Sequence, residues 1–159
     1  MNWKQELKRM KLDSIQKAAP GFFDLSGGHA MKVKPYKDDT ANGLTKCIVD
    51  WINFDGGHAN RVNTQGQVRK ERIQLAFGNS RDIMRYTRST TNLGTADVLA
   101  IIKGKAVSIE IKIGKDSLSK HQLAEQDRVT RAGGLYFVAT DMQSFVDWYK
   151  TQFVKITAQ

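Results

Sequence analysis

The 159-residue chain has one cysteine, Cys47, so it can form no internal disulfide and carries no cysteine-based zinc cluster. It has no run of eighteen or more apolar residues, which excludes a membrane-spanning helix. The opening stretch, Met1 to Met10, is charged throughout and lacks the apolar segment of a signal peptide. A reducing, cytoplasmic home without secretion is therefore the expectation. Internal repeats and low-complexity tracts are absent, as is any helix-turn-helix or zinc-finger pattern for reading bases. His29, His58 and His121 share no metal-ligand spacing. With 40% hydrophobic residues, the length fits one domain whose core needs no disulfide or metal staple.

Positive charge is in excess. The net charge of +9 attracts polyanions, nucleic acid above all, although a basic surface also serves solubility alone. The distribution is uneven: residues 1–37 carry eight basic and three acidic residues, and residues 61–90 carry seven and two. Between them, residues 38–60 hold one basic and four acidic residues. The remainder is nearly balanced.

Apolar spacing at Trp3, Leu7, Met10 and Ile15 predicts an amphipathic helix closed by Pro20, packed on the domain or on a second copy. Residues 21–40, with Gly27-Gly28 and Pro35, read as an extended arm. Leu44, Cys47, Ile48, Trp51 and Ile52 mark a core-facing helix ended by Gly56-Gly57. A short strand over 58–63 follows. Residues 67–91, where arginines interleave with Phe77 and Tyr86, read as a basic insertion, either a hairpin or a mobile segment. A buried strand over 97–102, a turn at Lys103-Gly104-Lys105 and a partner strand over 106–113 come next. Ser119 opens a helix, Gly133-Gly134 stops it, and Leu135 to Ala139 is a strand. Thr140 or Asp141 caps a last helix with Phe145, Trp148, Tyr149 and Phe153 on its buried side. The order is αβββαβα: an α/β fold, a mixed sheet with flanking helices, with an arm over 1–40 and the main domain over 41–159.

The chemistry concentrates in Val107-Ser108-Ile109-Glu110-Ile111-Lys112-Ile113. Side chains alternate along a strand, so the apolar residues point into a core and Ser108, Glu110 and Lys112 point the other way. On a half-solvated strand Glu110 and Lys112 would be a surface pair of little consequence. Asp97 changes that. A hairpin turning at Lys103-Gly104 brings Asp97 across from Glu110, and two carboxylates that close repel each other unless a cation takes an oxygen from each. Hard Mg²⁺ prefers such ligands. Lys112 then adds a charge that can stabilise a developing anion, a layout suited to metal-assisted phosphodiester hydrolysis.

Gly94-Thr95-Ala96-Asp97, Ile109-Glu110-Ile111-Lys112, Ser119-Lys120-His121-Gln122 and Ala132 to Ala139 together resemble the PD-(D/E)-x-K nuclease superfamily. More narrowly they resemble its VRR-NUC branch of small phage-type and Holliday-junction-resolvase-like nucleases. The resemblance covers roughly residues 44–148 and implies a restriction-endonuclease-like core. By that resemblance, Asp97, Glu110 and the backbone carbonyl of Ile111 are metal ligands for Mg²⁺ or Mn²⁺. Lys112 is the catalytic lysine, and Gln122 supports the site. Ser119-x-x-Gln122 also reads as a helix capping box. Ala96 stands where the family name has proline. The first core helix lacks the glutamate many relatives direct at the metal, with Asn42 or Asp39 as stand-ins.

The implied substrate is DNA, with RNA not excluded, in branched, flap or nicked form. Arg61, Arg69, Lys70, Arg72, Arg81, Arg85 and Arg88 are the candidate phosphate contacts, with Lys115 and Lys120 beside the site. Some relatives act as homodimers, and the N-terminal helix offers a surface for one. The rival readings are an inactive nuclease-fold binding protein and a basic viral assembly protein.

Overall fold

Asn2 caps the first helix, α1 (Trp3–Ala18), by accepting from the Lys4 N–H, and the helix lays Trp3, Leu7 and Leu12 into the interior. In this computed structural model, residues 2–62, 67–74, 78–87 and 92–154 are described. Pro20 opens a second short helix, α2 (Pro20–Leu25), because its fixed φ suits the first helical position. Phe23 anchors that helix as a buried side chain. The arm expected over 21–40 is therefore helical at its start and has a 3₁₀ turn at Gly28–Ala30. Only from Met31 onward does it lack regular structure, up to the cap of the next helix.

Thr40 caps α3 (Ala41–Phe54), whose buried face carries Leu44, Cys47, Ile48, Trp51 and Ile52 as the spacing requires. Strand β1 (His58–Arg61) follows, then a hairpin of β2 (Gln67–Gln74) and β3 (Ser80–Thr87), then β4 (Val98–Ile102) and β5 (Lys105–Ile111). Helix α4 (Lys120–Arg131), strand β6 (Leu135–Ala139) and helix α5 (Met142–Tyr149) complete the order, and a wider turn continues α5 over Lys150–Val154.

The main sheet runs β1-β4-β5-β6, antiparallel except for the β5–β6 pair, and β2–β3 form a separate two-stranded sheet. The protein is thus mixed α/β with a mixed sheet and flanking helices. The parallel pair needs the α4 crossover between its strands. The β4–β5 turn is two residues long, with Lys103 at φ 47° and Gly104 at φ 80°, the geometry that matches strand twist. One core joins α1, α3, α5 and the sheet: Leu7, Leu44, Ile48 and Ile52 meet Val98, Ile109, Met142 and Phe145.

Three expectations change. β4 is not buried on both faces: Leu99 is 43% and Ile101 57% exposed. β5 departs the other way, since its polar face is buried too. The α1 apolar face, offered above as a dimer surface, is spent within the chain, with Trp3 and Leu7 part of its own core.

Candidate active site

Cross-strand pairing of β4 and β5 sets Val98 opposite Ile109, and one further step brings Asp97 across from Glu110. The Asp97 carboxylate is fixed by the backbone N–H of Ile111, which donates to its Oδ2 at 3.0 Å. Its backbone carbonyl accepts from Val62 N–H at 2.8 Å, tying the site to the end of β1. Lys112 continues β5, and its N–H reaches the Ala139 carbonyl at 2.9 Å beside the end of β6.

Glu110 is 2% exposed and Lys112 9%. Lys112 Nζ lies 3.3 Å from Glu110 Oε1, and the Gln122 side-chain amide donates to the same oxygen. The other oxygen, Oε2, is buried without a hydrogen-bond partner. Burial, then the charge of Asp97, pushes the Glu110 carboxyl up to about 7, against the pull of Lys112. A buried carboxylate oxygen left unpartnered beside a second acid is a costly arrangement, and a cation relieves it.

Gln122 closes the expected capping box and also touches Glu110. Its Oε1 accepts from the Ser119 N–H at 2.9 Å, and its own N–H donates to Ser119 Oγ at 3.3 Å, closing a capping box. Its Nε2 still faces Glu110. The helix start is pressed against the loop before Asp97 at Gly94, where a Cβ would sit 2.4 Å from the His121 carbonyl oxygen. Gly94 has φ 88°, so both space and backbone require glycine.

Two candidates for the absent helix glutamate find other surroundings. The Asn42 side-chain oxygen accepts from Arg61 Nη2 at 2.7 Å, and Asp39 is exposed. Among the described residues, no group of three His, Cys, Asp or Glu side chains is placed to hold a metal. The site offers a carboxylate pair, Asp97 and Glu110.

The basic candidates divide. Arg61 lies at the end of β1, beside the site through its neighbour Val62. Lys115 and Lys120 are exposed on the loop after Lys112 and on the first turn of α4. Arg69, Lys70, Arg72, Arg81 and Arg85 all lie on the β2–β3 hairpin. Their charge is partly offset there: Asp82 pairs with Lys70 at 2.8 Å and Arg72 at 3.3 Å, and Glu71 with Arg85 at 3.1 Å. Arg88 lies outside the described residues.

Sequence reading missed Tyr136. It stands opposite Ser108 on β6, hence on the Glu110 face, with its hydroxyl buried and unpartnered. Burial, with Glu110, Glu125 and Asp97 nearby, pushes its ionisation well above the ordinary tyrosine range. Only the parallel β5–β6 register reveals this neighbour. No protein-family model matches the chain, and no curated protein matches it.

Proposed function

We propose that the protein is a metal-dependent endonuclease with a restriction-endonuclease-like PD-(D/E)-x-K core, hydrolysing phosphodiester bonds in DNA with little sequence preference. The observation that carries this reading is the buried Glu110, set across from Asp97 and touched by Lys112, with one oxygen lacking any partner. A carboxylate pair and a lysine drawn together in a low-dielectric site repel and attract strongly, which a merely structural surface pair does not.

Asp97, Glu110 and the Ile111 carbonyl would hold the cation, and the oxygen-only donor set fits Mg²⁺ or Mn²⁺. Bound there, the cation supplies charge compensation to the phosphodiester and favours attack by water. The chain's own residues do the rest. Lys112, one residue beyond the β5 strand, places its ammonium against Glu110 and toward the negative charge that grows on the phosphate oxygens. Gln122 restrains Glu110 through Oε1, and the unpartnered Oε2 would be the oxygen left to take the cation. Arg61, Lys115 and Lys120 rim the site as phosphate contacts, which hold backbone rather than base edges. Branched, flap or nicked DNA is the substrate class this reading assigns.

The second reading, an inactive nucleic-acid-binding protein, is favoured by one feature: Asn42, at the start of α3, is engaged by Arg61 and adds no carboxylate. Cleavage of labelled single-stranded, duplex, flap and four-way-junction DNA in Mg²⁺, Mn²⁺ or EDTA separates the two. The nuclease reading expects cutting with metal alone, reduced about 10²–10³-fold by Lys112→Ala and abolished by Glu110→Ala. Salt-sensitive binding without cutting in either metal would establish the second reading instead.

A further inference from the structure

A groove of about 500 Å³ lies between α1, the arm and the start of α3, away from the carboxylates. Lys11, Lys32, Lys34, Lys37 and Lys46 line it, and none of its lining residues is acidic. Between the lysines its wall is apolar, with Ile15, Met31, Val33 and Pro35. A neighbouring hollow across the arm adds Lys4 and Lys8, which share a helix face with Lys11. Asp50, which faces the lining residues Tyr36 and Lys46, is already engaged, accepting from the Tyr36 hydroxyl at 2.8 Å and from Lys46 at 2.7 Å. Lys11, Lys32, Lys34 and Lys37 have no acidic partner among the described residues.

Resting on the nuclease reading, we propose that this groove binds a single-stranded segment of the substrate, its phosphates on the lysines and its bases on the apolar wall. Charge complementarity selects a polyanion, and the apolar wall selects one with exposed planar faces. A duplex keeps its bases inside and meets a basic surface through phosphates alone, whereas a single strand offers both. A few bonded residues join the groove lining to the site. Gly43 lines it, the adjacent Asn42 holds Arg61, and Val62 after Arg61 is bonded to the Asp97 carbonyl. Asp38, just past Lys37, accepts from the Met142 N–H, three residues beyond the Ala139 that carries Lys112. The substrate this proposal assigns is therefore one that has a single-stranded segment beside a duplex, a flap or splayed junction.

The test is fluorescence anisotropy of the full chain in EDTA, with labelled oligothymidine and a matched duplex as probes. The proposal expects Lys11→Glu/Lys34→Glu to weaken oligothymidine binding about tenfold or more, and the salt slope to fall by about 1.4, at roughly 0.7 per phosphate lost. Duplex binding should change by less than about twofold. Lys32→Gln/Lys34→Gln, milder and on exposed side chains, provides a folded control checked by circular dichroism. Photo-cross-links from iododeoxyuridine should map to residues 31–37. Unchanged affinity, cross-links confined to the 67–87 hairpin, equal loss of duplex binding, or competition by polyglutamate as strong as by oligothymidine would each overturn it. Because EDTA suppresses cleavage, the outcome is independent of the nuclease reading. A protein that binds here and never cuts loses only that reading, and one that cuts with unaltered affinity loses only this inference.

Discussion

The side-chain amide of Gln122 joins the first turn of α4 to the buried carboxylate of Glu110: its oxygen takes the Ser119 N–H and its nitrogen faces Glu110 Oε1. A residue that caps a helix and restrains an acid can be separated into its two roles by substitution. Gln122→Ala should lower stability by about 1 kcal/mol through the lost cap, read from a denaturant midpoint. Gln122→Glu keeps the acceptor for Ser119 but replaces a donor with a like charge beside Glu110, so the Glu110 carboxyl should rise further. The acid limb of the pH–rate profile would then move to higher pH in Gln122→Glu. An unmoved limb would mean that the amide does not contact Glu110 in solution.

Glu110 itself makes stability depend on pH with a definite sign. Its carboxyl is pushed up to about 7 by burial first and by Asp97 second, from an ordinary value of 4.5. The unfolded chain releases this proton near 4.5 and the folded chain near 7, so over that window the folded state holds more protons. Stability of the metal-free protein should therefore fall as pH rises from about 4.5 to about 7, by at most about 3 kcal/mol. Glu110→Gln should flatten this slope in urea titrations across the window. If Glu110 is the metal ligand proposed above, binding requires its ionised form, and apparent Mg²⁺ affinity should weaken about tenfold for each pH unit below 7. Calorimetry that finds affinity constant between pH 5 and 7 would sink the assignment of Glu110 as a ligand.

Two glycines with similar backbones should behave differently. Gly94 and Gly104 both have positive φ, 88° and 80°, and alanine at either costs about 1–2 kcal/mol from conformation. At Gly104 the added Cβ meets nothing, whereas at Gly94 it meets the His121 backbone at 2.4 Å. Gly94→Ala should thus destabilise more and displace the α4 start, and under the proposed nuclease function it should reduce cleavage through Gln122. Gly104→Ala should lower the melting temperature with kcat retained. Equal activity loss in both variants would contradict the coupling of Gly94 to the site.

Much of this was legible because local chemistry set it. The two-residue turn at Lys103-Gly104 fixes the β4–β5 register, and that register alone places Asp97 across from Glu110. The Ser119–Gln122 box and the spacing on α3 are likewise local signals that held. What failed depended on distant elements. Pro20 does close α1, but the extended arm expected from residue 21 starts as a helix instead, because Phe23 finds an interior site. The apolar run of β4 suggested two covered faces, but Leu99 and Ile101 remain exposed. The burial of Glu110 and Lys112 follows from elements packed over a face that alternation marks only as polar, with Gln122 of α4 among them.

Tyr136 gives a test that needs no substrate. Its hydroxyl is buried without a partner on the Glu110 face, and an unsatisfied buried polar group costs about 1–3 kcal/mol. Tyr136→Phe removes the oxygen and keeps the ring. The variant should match or exceed the wild type in metal-free stability, by up to about 1 kcal/mol since buried groups relax in part. A loss of 1 kcal/mol or more would instead show that the hydroxyl is hydrogen-bonded in solution, through a water shared with Glu110 Oε2, the other buried oxygen on that face. In that case the same substitution should also raise the Glu110 carboxyl further, because the charged form loses a hydrogen-bonded neighbour. Measuring the urea midpoint at pH 5 and at pH 8 distinguishes these outcomes: a bare hydroxyl gives the same change at both, and a shared water gives a larger loss at pH 8, where Glu110 is ionised.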